Sequence, residues 1–193
     1  MTLPPLPPAA CDVAFKEWAG VCHALSQGRQ SLILRKGGIA EGTGGFTPEH
    51  SVFWLYPTHV HENQQGLRDN EPPPAPWGAR DDAVPLQVLA AVESVDFVDR
   101  PELLPALEPL HVWTAETVLK RFHYRQPGLW VLSVRVWAGV AATFVPVTAA
   151  HLGCKTWVPL EAPVSTLGLA PVLDDSEAAR RRERLAAALC KTY

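Results

Sequence analysis

The sequence predicts an α+β domain whose small, mostly antiparallel sheet curls into a partly closed barrel flanked by helices. The chain has 193 residues, 47% of them hydrophobic, which is enough for one domain with a core. Helical and strand-like patterns do not alternate regularly, which argues against a doubly wound parallel sheet. Residues 129–137 alternate as a strand does, with Trp130, Leu132, Val134 and Val136 on one face.

The amino-terminal part predicts one helix and two strands. Residues 1–11 are rich in proline and predict a mobile tail. Apolar residues at helical spacing predict a helix over 12–28, which Gly28 ends because glycine adopts the left-handed cap at low cost. Two apolar segments, 30–36 and 51–58, predict strands.

A long loop separates these elements from a second group. Residues 66–85 carry many proline and acidic residues, and we expect this loop to be disordered. Thr114 predicts the start of a helix that ends near Phe122, because Trp113 and Val118 have the spacing of a hydrophobic staple. The other predicted elements are a strand over 86–98, a short helix over 101–107, strands near 142–147 and 155–160, and a last helix capped by Asp175 or Ser176 that ends near Leu189. Together they predict a single domain over 12–193.

Charge and cysteine content indicate which partners and which cellular compartment are compatible with this sequence. The formal net charge is −3, so binding to nucleic acid requires a local basic patch. The four cysteines form no C-x-x-C pair, and we expect reduced thiols. The sequence starts without a basic signal region and has no apolar run of about 20 residues. We therefore expect a cytoplasmic protein without a membrane partner.

The block Arg35-Lys36-Gly37-Gly38 is the first candidate for nucleic-acid binding. Two cations stand beside a glycine backbone whose N–H groups are free to form an anion-binding nest. The alternative is a strand that ends in a tight turn with both side chains solvated.

A second candidate is the basic and aromatic run around Lys120, Arg121 and Arg125, which includes His123 and Tyr124. Basic side chains position phosphates and aromatic faces stack bases. The alternative is a solvated helix end whose cations are stabilised by the helix dipole.

Three further residues are candidates for the same interface. Trp54 and Tyr56 share one face of a predicted strand, and they could form the floor of a base-stacking cleft if that face points outward. Arg135 lies on a central strand. It is therefore either paired with a carboxylate such as Glu17 or Glu49, or it lines a cleft.

Histidine and glutamate residues around 49–62 are the candidates for catalysis. Glu49, His50 and His61 are the acid–base candidates, and His59 with His61 has the spacing of a two-histidine metal site. No H-E-x-x-H or G-x-S-x-G motif occurs. We assign no catalytic residue, and we expect neither a metal nor another cofactor.

A series of short blocks resembles a known family. The blocks are Glu17-Trp18, Ala24-Leu25, Gly28, Gln30, Leu34 to Ile39, Glu41, Phe46, Glu49-His50, Phe53, Leu55 to Thr58, His61, Trp113, Arg121-Phe122, Arg135, Gly153 to Lys155 and Trp157-Val158. Over about 14–160 they resemble the family of domains of unknown function numbered 1802 (DUF1802). Glu62 and Thr156 depart from that pattern, which has Gln and Ser there. The resemblance implies no assigned activity. Some members are joined to Mrr-type nuclease domains, which suggests a bacterial restriction or defence context and a separate nuclease partner for this chain.

The order of elements is also similar to that of PUA-like domains, including the ASCH type, which bind RNA or read modified bases. The first hypothesis is therefore a nucleic-acid-binding accessory module, a base reader without enzymatic activity. The second is an enzyme that processes nucleotides or nucleic acid with the histidine and glutamate groups. The third is a partner that binds proteins and does not contact nucleic acid.

Overall fold

The computed structural model describes residues 7–36, 48–59, 66–68, 82–153 and 155–190. Within these residues lie seven strands and four α-helices, with short 3₁₀ turns between some of them. The strands are β1 (Ala10–Trp18), β2 (Leu32–Arg35), β3 (Val52–Thr58), β4 (Ala83–Val98), β5 (Leu129–Pro146), β6 (Trp157–Ser165) and β7 (Ala170–Pro171). The helices are α1 (Ala19–Ser26), α2 (Leu104–Leu107), α3 (Ala115–His123) and α4 (Asp175–Cys190).

All seven strands belong to one sheet, in the order β2-β5-β4-β3-β1-β6, with β7 paired to β5 beside β2. Only β1 and β3 pair in parallel among the described strands, and the other pairs are antiparallel. The edge strands β2 and β6 do not pair with each other, so the described sheet is curled but not closed. The predicted α+β class, with a mostly antiparallel and partly closed sheet, is confirmed.

The predicted helix over 12–28 is wrong in its first half. Strand β1 occupies Ala10–Trp18, between the parallel neighbour β3 and the antiparallel neighbour β6. Phe15 is completely buried there, and its ring packs against the rings of Phe53 and Trp157 on the two neighbouring strands. The apolar spacing in this segment is compatible with a helix, but the segment forms a strand because it pairs with β3 and β6. Because Ala10 and Cys11 belong to β1, the predicted tail is shorter; residues 1–6 lie outside the described residues.

Helix α1 ends as predicted at Gly28. Gly28 has φ of 65°. Its N–H donates to Leu25 O at 3.1 Å, and the N–H of Arg29 donates to Ala24 O at 3.0 Å. These two bonds form a Schellman motif, which satisfies the last carbonyl groups of the helix.

Strands β4 and β5 form the long central pair of the sheet. The predicted strands 129–137 and 142–147 are one strand, β5, whose pairing with β4 shifts between Leu86 and Val88. The backbone of 139–142 bulges at this shift, and Gln87 Nε2 donates to Gly139 O at 2.9 Å. Because β4 begins at Ala83, the end of the predicted disordered loop is part of the sheet. Residues 69–81 of that loop lie outside the described residues.

Helices α3 and α4 occur where the sequence predicts them. Thr114 Oγ1 accepts from the N–H of Thr117 and caps α3. The cap of α4 is Asp174, whose Oδ1 accepts from the N–H of Glu177 at 2.8 Å, so the expected cap at Asp175 or Ser176 is wrong by one or two residues. None of the described helices is long and apolar enough to cross a bilayer. The division of the chain into a tail and one domain stays a prediction.

Candidate functional site

Three charged side chains interact electrostatically beside the open edge of the sheet, and we call Glu17, Arg35 and Arg121 the arginine cluster. Glu17 lies near the end of β1 and is 4% exposed. Its Oε1 accepts from the N–H of Trp18 at 2.8 Å, and its Oε2 lies 3.9 Å from Arg35 Nη1. Among the described residues, no group donates a hydrogen bond to Oε2. Two guanidinium groups and one carboxylate leave the cluster with a formal charge of +1.

Arg35 is the last residue of β2 and reaches across the gap in the sheet. Its Nη2 donates to Thr156 Oγ1 at 2.6 Å, next to the start of β6. Its guanidinium carbon lies 4.7 Å from the ring centroid of Phe15 on β1. The side chain is 23% exposed, so a ligand can reach it while these contacts fix its position.

Arg121 reaches the cluster from α3 and lies on aromatic rings. Its guanidinium carbon is 4.1 Å from the ring centroid of Trp18 and 5.3 Å from that of Trp113. Burial lowers the pKa of Arg121, and the Glu17 carboxylate opposes this shift while Arg35 adds to it. Its guanidinium makes aromatic and electrostatic contacts with the described residues but no hydrogen bond to them.

The register of the sheet determines which residues lie next to the arginine cluster. Trp18 pairs with Thr58 of β3, and Thr58 Oγ1 donates to Glu17 O at 3.2 Å. On the other side of β1, Phe15 pairs with Trp157 of β6, with ring centroids 4.9 Å apart. The parallel β1–β3 pair and the antiparallel β1–β6 pair therefore bring three distant segments together at the cluster.

Lys36 has a structural role that the sequence did not predict. Its Nζ donates to the carbonyl oxygens of Phe122 and Gly128, both at 2.8 Å, and also to that of Gln126. Burial lowers the pKa of Lys36. These carbonyls lie in the last turn of α3 and in the loop that follows it, where the helix dipole favours a cation. Since three carbonyls occupy its three donors, Lys36 has none left for a phosphate. Gly37 and Gly38 lie outside the described residues.

The basic run at the end of α3 is divided between two environments. Lys120 is exposed and pairs with Glu116 at 2.6 Å, one helical turn away. Arg121 turns inward to the cluster. Arg125 is exposed, has φ of 62°, and lies 5.2 Å from the ring centroid of the exposed Tyr124.

Trp54 and Tyr56 do not form the floor of an open cleft. They are 2% and 6% exposed, and the adjacent residues of β3 are buried as well. The expectation that one face of this strand points outward is therefore wrong, because β3 is a central strand covered on both faces. Tyr56 contacts the ring of His151 edge-on, with centroids 5.6 Å apart.

Arg135 is paired with a carboxylate, but not with either of the expected ones. It is 5% exposed, and its Nη2 donates to Asp175 Oδ1 at 2.8 Å at the start of α4. Glu17 instead faces Arg35. Arg135 also lines a small pocket beneath α4 that has room for about one water molecule. It is not part of the arginine cluster.

The histidine and glutamate candidates do not form a described catalytic or metal site. Glu49 and His50 are exposed, and the His50 ring packs against Trp157 with centroids 5.2 Å apart. His59 is half-buried, and His61 lies outside the described residues. Over the described ranges, no three His, Cys, Asp or Glu side chains are grouped so that they could hold a metal ion.

Sequence reasoning missed Glu17, Trp18 and Thr156 as members of the site. Glu17 and Trp18 were assigned to a helix, which placed them away from β3 and β6. The blocks that resemble DUF1802 contained the missing signal, because Glu17-Trp18, Arg35, Trp113 and Arg121 all occur in them. These blocks are far apart in the chain and meet only in the folded protein.

Comparison with family models shows to which family this chain belongs. The model of the domain of unknown function DUF1802 matches residues 14–184. The chain belongs to the DUF1802 family. The match includes every member of the arginine cluster and most of α4, so the predicted resemblance is confirmed and extends beyond residue 160. A search of curated proteins found no match for this DUF1802 protein.

The solved structures that match this chain resemble it only weakly. ASCH from Zymomonas mobilis shares 11% identity with this DUF1802 protein, at a TM-score of 0.43, over 91% of this chain and 93% of that one. Two mutant forms of the same ASCH protein share 10% and 11% identity, with TM-scores of 0.43 and 0.40. They cover 77% and 93% of this chain, and 89% and 99% of their own. At these TM-scores the likeness decides nothing about function.

Proposed function

We propose that this DUF1802 protein binds nucleic acid at the arginine cluster, with Arg121 and Arg35 contacting phosphate. The observation that carries the proposal is the environment of Arg121. Its guanidinium lies on the rings of Trp18 and Trp113, next to a second guanidinium, and donates no hydrogen bond to any described residue. A guanidinium held on aromatic rings keeps its planar set of donors, which matches the oxygens of a phosphate.

The charges of the cluster favour an anionic ligand. Glu17 neutralises one of two neighbouring guanidinium groups, and Arg35 acts on Arg121 as a like charge. A bound phosphate relieves this repulsion without a change in the fold. With a formal net charge of −3 the protein as a whole does not attract a polyanion, so binding depends on local cationic groups such as those of the cluster.

Glu17 orients the cluster from inside the fold. Its Oε2 is buried and accepts no hydrogen bond from the described residues, and it lies 3.9 Å from Arg35 Nη1. The carboxylate therefore holds the Arg35 guanidinium in place and leaves the contact with phosphate to the two arginines.

The proposed role is binding, and it assigns no catalytic group. Glu49 and His50 are exposed and separate from other titratable groups that could hold a metal within the described residues. No observation favours the enzyme hypothesis. The role as a base reader in restriction or defence, and the separate nuclease partner, stay predictions from the family resemblance.

The test is a titration with short DNA and RNA oligonucleotides, followed by fluorescence anisotropy, between about 50 and 200 mM salt. Arg121→Gln is compared with Arg180→Gln, which removes the same charge from an exposed arginine on α4. We expect Arg121→Gln to weaken binding about 10-fold or more and to reduce the salt slope by about one. Arg180→Gln should leave both unchanged. Binding that is absent in the wild-type protein, or equal in both variants, would overturn the proposal.

A further inference from the structure

Phe97 presents an aromatic ring to solvent at the end of β4. It is 49% exposed, and its ring centroid lies 4.6 Å from that of Trp130 on β5, with the planes tilted by 45°. Trp130 is half-buried and packs against the hydrophobic core. The Phe97–Trp130 pair therefore has one ring anchored in the fold and one ring with an accessible face.

The sheet register joins this pair to the arginine cluster. Arg35 of β2 is the register partner of Trp130, and Trp130 is the register partner of Phe97. Register partners in antiparallel strands point to the same face of the sheet. The three side chains therefore extend in a row from that face. Neighbouring strands lie about 4.8 Å apart, so the row is about 10 Å wide, a distance that one or two nucleotides can span.

The backbone beneath Phe97 holds its ring in place. Gly128 has φ of 127°, and a Cβ at this position would lie 2.3 Å from Phe97 Cζ. The absence of a side chain at Gly128 lets the ring lie against the backbone. The same short loop carries the exposed pair Tyr124 and Arg125. The carboxylate nearest in sequence, Asp96, alternates to the other face of β4 and accepts from Ser94 Oγ at 3.1 Å.

From this arrangement we infer that the ligand is a single-stranded nucleic acid, with one base stacked on the Phe97–Trp130 pair while the adjacent backbone contacts the arginine cluster. The inference rests on the proposed function and specifies its substrate class. In a duplex the faces of the bases are covered by their neighbours and must be unstacked before a protein ring can reach them, so stacking on an exposed ring favours an unpaired strand. The cations beside the rings favour this occupant over an apolar protein surface.

The experiment compares Phe97→Ala with Phe144→Ala. Phe144 is the matched control because it is 46% exposed and lies on β5, where it pairs with Pro85 near the other end of the strand pair. Each protein is titrated with a single-stranded oligonucleotide of about 12 nucleotides and with the same sequence as a duplex. A further variant, Phe97→Leu, retains an apolar side chain without a ring and controls for stability, which thermal unfolding monitors.

We expect Phe97→Ala and Phe97→Leu to weaken single-strand binding about 10-fold without a change in the salt slope, because stacking involves no counterion release. Phe144→Ala should bind as the wild type does, and the wild type should prefer the single strand to the duplex. If Arg121→Gln weakens binding but both Phe97 variants bind normally, or if the duplex binds as tightly, this inference is wrong and the proposed function stands. If the wild type binds neither ligand, both are wrong. Loss of self-association or of protein binding alone in Phe97→Ala would also overturn the inference, since it would mark the ring pair as a protein interface.

Discussion

The Nζ of Lys36 lies 2.8 Å from the carbonyl oxygen of Phe122, and this contact connects the end of β2 to the end of α3. The adjacent cations Arg35 and Lys36 therefore have different roles. Arg35 extends into the arginine cluster, whereas Lys36 holds α3 against the sheet. Arg121 projects from the same helix, and its guanidinium is held in addition by the rings of Trp18 and Trp113.

The first prediction follows from the structural role of Lys36. Lys36→Met keeps the apolar stem and removes three charge-assisted hydrogen bonds, so we expect the free energy of unfolding to fall by about 1–3 kcal/mol. The salt slope of oligonucleotide binding should not change. Lys155→Met, at an exposed lysine, is the control for lost charge. Chemical denaturation measures the stability, and a stable variant with a reduced salt slope would show that Lys36 contacts phosphate instead.

Glu17→Gln is predicted to change stability and anion affinity in opposite directions. The substitution raises the formal charge of the cluster from +1 to +2 and leaves Arg35 and Arg121 without a counterion. We expect a loss of about 1–3 kcal/mol in unfolding free energy together with tighter phosphate binding. Glu93→Gln breaks a similar pair, with Arg182, under α4, and should affect stability only. Weaker phosphate binding by Glu17→Gln would contradict the electrostatic role given to Glu17.

His111 should make the protein sensitive to acid. It is 2% exposed, and burial, with a contribution from the nearby Arg68 guanidinium, lowers the pKa of His111 from 6.5 to about 4. The unfolded chain therefore binds a proton at higher pH than the folded protein does. Stability is fully present above about pH 6.5 and falls as the pH decreases toward 4, by about 3 kcal/mol for this group.

The measurement for His111 is the unfolding free energy as a function of pH. His111→Leu should flatten the curve between about pH 6.5 and 4. The same substitution at the exposed His123 should leave the curve unchanged. An unaltered pH dependence in His111→Leu would assign the acid sensitivity to another group.

Gly128→Ala tests the support of Phe97 without altering its ring. The new Cβ meets the Phe97 ring and also forces a residue with a side chain into φ of 127°. Gly168→Ala is the control, because Gly168 has φ of 85° but nothing within 4 Å of the added Cβ. Both variants should lose about 1–3 kcal/mol of stability from backbone strain. Only Gly128→Ala should weaken single-strand binding. An equal effect of both substitutions on binding would show that Phe97 does not contact the ligand.

The local elements were predictable where a residue has a strong local preference. Thr114 caps α3, and Gly28 ends α1 in the left-handed conformation, as the sequence predicts. The failure at β1 has a clear physical cause. Its apolar spacing fits a helix as well as a strand, and pairing with β3 and β6 provides hydrogen bonds that no local pattern reveals.

The roles of the cations were less predictable than their positions in the chain. The sequence made Arg35, Lys36, Arg121 and Arg135 candidates for one nucleic-acid interface. In the structure Arg35 and Arg121 belong to the arginine cluster, Lys36 binds carbonyl groups at the end of α3, and Arg135 forms an ion pair under α4. Trp54 was a candidate for a binding cleft only if its face pointed outward, and it is buried, whereas Phe97 was not a candidate and is exposed. Exposure depends on which elements cover a strand, and sequence alternation does not contain that information.

The sequence by itself determined the fold class, the family and two cations of the site, Arg35 and Arg121, because hydrophobic spacing, caps and family motifs are local properties. Only the tertiary structure decided that Glu17, Arg35 and Arg121 interact. Their interaction depends on β1 lying between β3 and β6, and on Lys36 fixing α3 at the open edge of the sheet. These are pairings between segments that lie far apart in the chain, such as that of Phe15 with Trp157. They form because together they satisfy backbone hydrogen bonds and bury apolar surface that no single segment can cover alone.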